Sequence, residues 1–497
     1  MKSYELILEI WYFETHYIHI IYLKLSLSRE LDIPNTICFG IKTILSFVLK
    51  TIHSINNIMH HYDTVVVGLG PSGIAYGLEN APLGERTLFL EANADLGGCW
   101  RSAFNREGLY TEHSPKVMFK YGNRYTNNLI RHVGASLKFK NVYERGEKIR
   151  VLSVFFKNTT FRDICRLVIY VVLYSLGRQD DRVSVLDWCR SAKLTPKATK
   201  LISMLCILVS NTPDKVRMAI LISVLFDIGM WMSIDQLVDP REWLRLSEMT
   251  LRGVPHYDIR YNTIVKCVQC DDGVATSVVT GEDQRISAKR FVFCVPLRRL
   301  LRIVEESTSL LHTNWFRSLD VFRNYVERSS YTGVGFQLHF ERCPNFPSEW
   351  CWSCVGDWNV IVVEKSYSLE EFTKSPYVKA VWSCVVVDLE TKSDALGRSA
   401  NECESLDEIL DESVRQITVA YGSSLDAHRR TTHSNIFRTK GRWEAWETSF
   451  SDCIGTLPHT GKVPNLHSIG PHNIASIATI ESAIRSVVLF QEQRRNN

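Results

Sequence analysis

The stretch from His61 to Trp100, HYDTVVVGLGPSGIAYGLENAPLGERTLFLEANADLGGCW, decides the fold. Tyr62 to Val67 is a short β-branched run ending in Gly68-Leu69-Gly70-Pro71-Ser72-Gly73, and the helix-like IAYGLENA follows. This is strand, tight turn, helix. Gly68 permits the turn, Gly70 lets a pyrophosphate approach the backbone, and Gly73 lets the helix pack closely on the strand. The turn residues Pro71 and Ser72 open the helix, whose unpaired N–H groups attract phosphate. A second strand, Thr87 to Leu90, ends in Glu91. That carboxylate falls about 20 residues beyond the glycines, where it can accept hydrogen bonds from ribose hydroxyls. The unit predicted is dinucleotide-binding.

Leu96-Gly97-Gly98-Cys99-Trp100-Arg101 places a glycine pair where a loop can pass against the phosphates, with a cation close behind. Together GLGPSG, Glu91 and LGGCWR resemble the FAD-binding start of the flavoprotein superfamily that contains the amine oxidases, protoporphyrinogen oxidases and carotenoid desaturases. The resemblance implies an α/β protein with a discontinuous, Rossmann-like FAD-binding domain, an interleaved α+β substrate domain and a helical insertion.

The rest of the chain is organised to match. Residues 1–58 are an N-terminal extension that resembles neither half of such a fold, an anchor or a translation-start artefact ahead of Met59. Residues 59–135 form the first FAD segment and 136–250 the helical part of the substrate domain. The second FAD segment is 251–304, the substrate-domain sheet and helix 305–430, and the third FAD segment 431–497. Within the helical part, Leu167–Gly177 and Leu201–Pro213 are too short to span a bilayer. They read as buried helices, or as a monotopic membrane face or tunnel for a lipophilic substrate.

In the second FAD segment, a strand, an Asp271-Asp272-Gly273 turn, a strand and a polar turn at Gly281-Glu282 lead to a buried strand ending in Val295-Pro296-Leu297. The resemblance assigns the adenine contact to the Val265 backbone. In the third, Gly470 and Glu481-Ser482-Ala483 match the closing motif, with Pro471 and Ser482 standing where an acid and a glycine are usual. The resemblance implies that Thr479 lies near the start of a helix whose backbone N–H and dipole stabilise negative charge at the flavin N1–C2 carbonyl edge. Gly335 occupies the position of the amine-oxidase lysine near flavin N5, which brings protoporphyrinogen-oxidase-like or desaturase-like chemistry closer.

Composition excludes little beyond these readings. The 497 residues carry 58 basic against 54 acidic side chains, a net charge of +4, so nothing points to nucleic acid. The 14 cysteines lack a compact framework, which favours a reducing, intracellular and cytoplasmic setting, with membrane association left open. The pairs Cys267/Cys270 and Cys351/Cys354 lie in strand-like surroundings and predict no metal site.

Candidate catalytic residues are Glu112 and His113, which follow the glycine pair, and Trp443 and Trp446, which with Phe450 recur at helix-like offsets. The resemblance implies noncovalent FAD and oxidation of a C–N or C–C bond of a small, lipophilic substrate by hydride transfer to flavin. A flavin monooxygenase is the alternative suggested by Gly97-Gly98-Cys99-Trp100, but the only later fingerprint candidate, Gly333-Val334-Gly335, lacks its third glycine. A noncatalytic relative is the other. Because the strand at Tyr62 already begins a complete nucleotide-binding unit, deletion of residues 1–58 should leave flavin content and melting temperature nearly unchanged. A melting temperature lowered by many degrees on truncation would refute this.

Overall fold

Residues Tyr62–Val67 form β1, and its burial on both faces determines what surrounds it. Val65 and Val67 point into one core and Val66 into another, the pattern of a parallel strand covered by helices on both sides. The computed structural model describes residues 62–496 except 117–121, 136–138, 142–155, 179–181, 210–211, 228–234, 238–240, 332, 343–351, 366–376, 423–424, 426–427, 434–435, 446–448, 451–455 and 475–478. The extension 1–58 lies outside the described residues.

From β1 the chain turns into α1 (Pro71–Asn80) and returns as β2 (Thr87–Leu90), parallel to β1 with Val66 opposite Phe89. A short antiparallel pair, β3 (Ser102–Phe104) and β4 (Tyr110–Glu112), leads to α2 (Arg124–His132). Strand β5 (Phe139–Asn141) then opens the helical segment of α3 (Phe161–Ser175), α4 (Val185–Ser191), α5 (Pro196–Val209) and α6 (Met218–Asp227). Strand β6 (Asp235–Leu237) pairs with β5 and closes it. Pro196 opens α5, so the turn before it separates α5 from α4. The next helix, α7 (Glu242–Arg252), places Trp243, Leu244 and Leu251 in the core beside α1. It therefore packs against α1 and the first sheet.

Strand β7 (Tyr257–Arg260) joins β2 in parallel. Strands β8 (Val265–Asp271), β9 (Val274–Thr280) and β10 (Arg285–Phe293) follow, antiparallel to one another, and β10 ends beside β1 with Val292 opposite Val66. Helices α8 (Leu297–Glu306) and α9 (Leu319–Ser329) cover that side. The chain then forms β11 (Ser330–Tyr331), β12 (Val334–Phe340), β13 (Trp352–Val355), β14 (Val360–Glu364), β15 (Ala380–Val386), α10 (Leu406–Tyr421) and β16 (His428–Thr432). Strands β12 to β16 make an antiparallel sheet in the order β13-β14-β15-β12-β16.

The last segment contains the hairpin β17 (Ile436–Thr439) and β18 (Arg442–Ala445), then β19 (Ser449–Phe450), β20 (Leu466–Ser468) and α11 (Ile480–Asn496). Strand β20 pairs with β10, so the first sheet runs β7-β2-β1-β10-β9-β8 with β20 beside β10. Trp443 and Phe450 thus lie on strands, not on the helix that their spacing suggested. The cause is local: Lys440 and Gly441, with φ of 50° and 77°, make a two-residue turn with both centres left-handed, and that turn reverses a strand instead of continuing a helix.

The two ends of the cofactor half are tied together by Glu481. Its buried carboxylate accepts the backbone N–H groups of Tyr125 and Thr126, each at 2.9 Å, and the Thr126 hydroxyl at 2.8 Å. The first turn of α11 thereby caps the N-terminus of α2, satisfying donors that a helix leaves unpaired.

Candidate functional site

The turn after β1 is held by backbone contacts on every side. Gly68 has a φ of 94°, and a Cβ there would stand 2.6 Å from the Cys294 carbonyl oxygen. A Cβ at Gly73 would stand 2.0 Å from the Gly68 carbonyl oxygen. Both positions therefore exclude any side chain. Gly70 differs, since a Cβ there would find only the Gly98 Cα, at 3.9 Å. Its neighbourhood is open, bounded across the gap by the glycine-pair loop.

That gap suits an anion. Helix α1 begins at Pro71 with no side-chain cap and no acidic residue in its first turn, which leaves its positive end to an external group. The loop beyond is anchored by the Gly97 N–H to the Leu69 carbonyl at 2.8 Å. Ser72 turns away, its hydroxyl donating to the Ala483 carbonyl at 3.3 Å, so only its backbone is available to a ligand. The Arg101 guanidinium pairs with Asp95 at 2.7 Å.

Glu91 closes the far end. One carboxylate oxygen accepts the Leu69 N–H at 2.7 Å, and the other accepts the Asn93 backbone N–H at 2.9 Å and its side-chain amide at 2.7 Å. A carboxylate has about four acceptor sites, so acceptor capacity remains for a diol. The Glu91 carbonyl takes the Thr263 N–H at 2.8 Å, which brings the start of β8 alongside. There Val265 is buried in the core and its carbonyl accepts Arg299 Nη2 at 3.0 Å. These groups fit a dinucleotide: an uncapped helix start, a gap between glycines and a buried acid one strand away.

The closing motif converges on the same turn. Ile469 donates its N–H to the Phe293 carbonyl at 2.9 Å, and the Gly470 N–H goes to Asn473 Oδ1 at 2.8 Å. Behind it, the buried His472 Nε2 lies 2.7 Å from the Ser468 hydroxyl, and burial holds the pKa of His472 down at about 3. Sequence reasoning passed over this neutral histidine. Thr479 caps α11, its hydroxyl accepting the Ser482 N–H at 3.2 Å.

Glu112 and His113 come together with Gly335, at the seam between β4 and β12. Along β12 the residues Val334, Phe336, Leu338 and Phe340 enter the core under α10. The alternate residues Gly335, Gln337 and His339 face β4. A Cβ at Gly335 would stand 1.8 Å from the His113 carbonyl oxygen, so no lysine fits at this position without displacing that chain. Gln337 accepts the Glu112 N–H at 3.1 Å and returns its amide to the Glu112 carbonyl at 2.8 Å.

The Glu112 carboxylate is fully buried and is approached by Lys116 Nζ at 3.6 Å, Lys365 Nζ at 3.5 Å and the Tyr110 hydroxyl at 2.7 Å. Lys365 also donates to the Lys116 carbonyl at 3.0 Å, and Lys116 to the Ser102 hydroxyl at 2.9 Å. Burial works against the charge on Glu112, but Lys365 and Lys116, with hydrogen bonds from Ser383 and Tyr110, hold its carboxyl below the usual carboxylate range. Burial draws the Lys365 ammonium below the usual lysine range, with Glu112 opposing. Lys116, Lys365 and Gln337 were not anticipated. The available signal was the charged pair Glu364-Lys365 directly after the apolar run VIVV.

Trp443 lies elsewhere, in the core under the second sheet, with its indole N–H donated to the Cys403 carbonyl at 3.1 Å. Trp446 lies outside the described residues. The Gly333-Val334-Gly335 run lies against and within strand β12 and opens no helix. Cys267 and Cys270 share β8, Cys351 is outside the described residues, and no group of three or more metal-ligating side chains occurs among the described residues.

The Glu112 geometry sets a pH dependence. Between the ordinary glutamate value of about 4.3 and its lowered folded value, the unfolded chain binds more protons than the folded one, so this carboxylate contributes stability that is fully present above the ordinary value and is lost as pH falls through the lowered one. Glu112→Gln should lose about 3–5 kcal/mol near neutral pH by leaving the ammonium groups unpaired, and should show a shallower fall of melting temperature on acidification. Thermal melts from pH 7 down to pH 3 check both.

No family model matches the chain, and no curated protein does. Solved structures do. An oxidoreductase from Methanosarcina mazei aligns with a TM-score of 0.58 over 86% of this chain and 99% of its own, at 12% identity. Putrescine oxidase with putrescine bound aligns with a TM-score of 0.59 over 88% and 99%, at 15% identity. A CLA-producing fatty acid isomerase from P. acnes aligns with a TM-score of 0.53 over 87% and 98%, at 11% identity. The chain has the fold of these solved structures, which agrees with the fold that the resemblance of GLGPSG, Glu91 and LGGCWR implied.

Proposed function

We propose that this chain is an FAD-dependent oxidoreductase that oxidises a C–N or C–C bond of a small lipophilic molecule, with the cofactor held noncovalently. The observation that carries the reading is the gap between Gly70 and Gly98 at the uncapped start of α1, with Glu91 at its far end. Pyrophosphate would lie against Gly70 and the backbone N–H groups at Ser72 and Gly73, and Glu91 would accept from the adenosine ribose. The adenine would lie near Val265, and the Gly97-Gly98 loop with Arg101 would flank the phosphates. The closing turn at Gly470 and the Thr479 end of α11 would complete the cradle.

When bound, FAD supplies a hydride acceptor, and the protein supplies orientation and a dry, polarised environment. Glu112 serves that second task in this reading. Sealed from solvent and ion-paired, it fixes the path of His113 and Ser114 against β12 and does not exchange protons with substrate. His113, at 2% exposure, has its ring centroid 5.9 Å from that of His433. Of the solved structures, putrescine oxidase supports an amine substrate by its bound putrescine, and the fatty acid isomerase supports a lipophilic one by its name.

Two measurements test the reading. Gly70→Val should fold with near wild-type stability, because the space in front of Gly70 is open in the protein, yet bind less than a tenth of the wild-type flavin. Gly73→Val should lose both stability and flavin, because its side chain would meet the Gly68 carbonyl. Flavin absorbance and thermal melts of the two variants separate these outcomes. In the wild type, anaerobic addition of amines or porphyrinogens should bleach the visible flavin band, whereas NADPH should not bleach it rapidly; fast stoichiometric bleaching by NADPH would favour a monooxygenase.

A further inference from the structure

Helix α3 is committed on one side and bare on the other. Its N-terminus is fixed by a capping box between Thr160 and Asp163, and the buried Asp163 also accepts from Thr195 at 3.0 and 2.8 Å. Tyr170 stands edge-on to Trp188 with ring centroids 5.1 Å apart, and Leu167, Val171 and Tyr174 pack into the same core. The opposite side carries Phe161, Val168, Ile169 and Val172, with Leu176 just past the helix end, and these are 82, 55, 56, 50 and 62% exposed. At about 100° per residue these positions fall within an arc of roughly 100°. The result is a continuous apolar ridge facing outward, of a kind that soluble surfaces rarely leave uncovered.

The ridge is bordered by cations. Arg162 is at its edge in the first turn and Arg178 follows its last turn. Arg166 donates to the Lys193 carbonyl, and the Thr195 contact holds the α4–α5 turn against α3, so Lys193 and Lys197 flank the same end. Over described residues 156–217, nine exposed Lys and Arg side chains face two exposed carboxylates, Asp187 and Asp214. The whole chain is nearly balanced at +4, so this basic character is local.

We infer that α3 is a membrane-surface helix that lies in the headgroup plane of an anionic phospholipid bilayer, with its apolar ridge buried and its flanking lysines and arginines on the lipid phosphates. Its 15 residues give about 22 Å of helix, short of the ~30 Å hydrocarbon core, so it lies on the bilayer and does not cross it. Among the described residues no helix is long and apolar enough to cross. Charge argues against a second copy as the covering partner, because pairing two α3 ridges brings like-charged borders together.

The test is co-flotation of the full chain with vesicles of phosphatidylcholine alone or mixed with phosphatidylserine. Binding is expected to the mixed vesicles, weakened by salt, and reduced at least tenfold in V168E/V172E at unchanged melting temperature. Lys193→Gln with Lys197→Gln should weaken binding to the mixed vesicles only. As a check independent of the charged variants, a fluorophore on Val168→Cys should shift to the blue when mixed vesicles are added. Three results overturn the inference: no vesicle binding by the wild type, binding unchanged in V168E/V172E together with no shift at position 168, or a concentration-dependent dimer that V168E/V172E abolishes.

Discussion

The constraint on which the nucleotide-turn geometry depends is the approach of Gly73 to the Gly68 carbonyl, where a Cβ would stand 2.0 Å away. It presses the first turn of α1 onto the end of β1, while Gly68 leans on the Cys294 carbonyl at the end of β10. Once those three backbones meet, the helix start has one free direction, toward Gly98, and the dinucleotide gap follows. The contacts that fix the gap are between main chains: Leu69 to Gly97, Cys294 to Val67, Ile469 to Phe293. Side chains can drift around such a frame without moving it. That is a physical reason why alignments at 11 to 15% identity still cover 87 and 88% of the chain.

The parts of this fold legible in the sequence were those fixed by local rules. The β-branched run at Tyr62, the glycine spacing and the position of Glu91 read directly as strand, turn, helix and acid. So did the Asp271-Asp272-Gly273 turn, which lies between β8 and β9. What was illegible depended on distant partners or on an unusual turn. Lys365 reaches a carboxylate on a strand more than two hundred residues earlier, and nothing near it in sequence names that partner. Trp443 was read at helical period because Lys440-Gly441 lacks the Asn-Gly composition that announces a left-handed two-residue turn.

Strand β12 shows how one sheet serves two purposes. Its apolar alternate residues anchor it under α10, and its polar ones, Gln337 and His339, meet the chain at Tyr110 and Glu112. Burying Glu112 with Lys116 and Lys365 contributes little net stability compared with an apolar seam of the same volume. The arrangement does discriminate strongly against misalignment, since a one-residue slip of β12 turns every polar group into the wrong face. The seam therefore defines how the second sheet is registered on the cofactor half.

The Glu481 cap on α2 has a bearing on how the protein is made. Tyr125 and Thr126 emerge from the ribosome some 355 residues before their acceptor does, and β10 likewise waits for β20. Contacts so far apart in sequence impose slow, late closure, and domains otherwise tend to fold as units during synthesis. Here the first half of the β1 sheet is complete in secondary structure but short of α11 until that helix is made. A nascent chain would thus carry an open α2 terminus until α11 emerges, and an unpaired β10 edge until β20 does, an interval in which chaperones meet an unfinished surface.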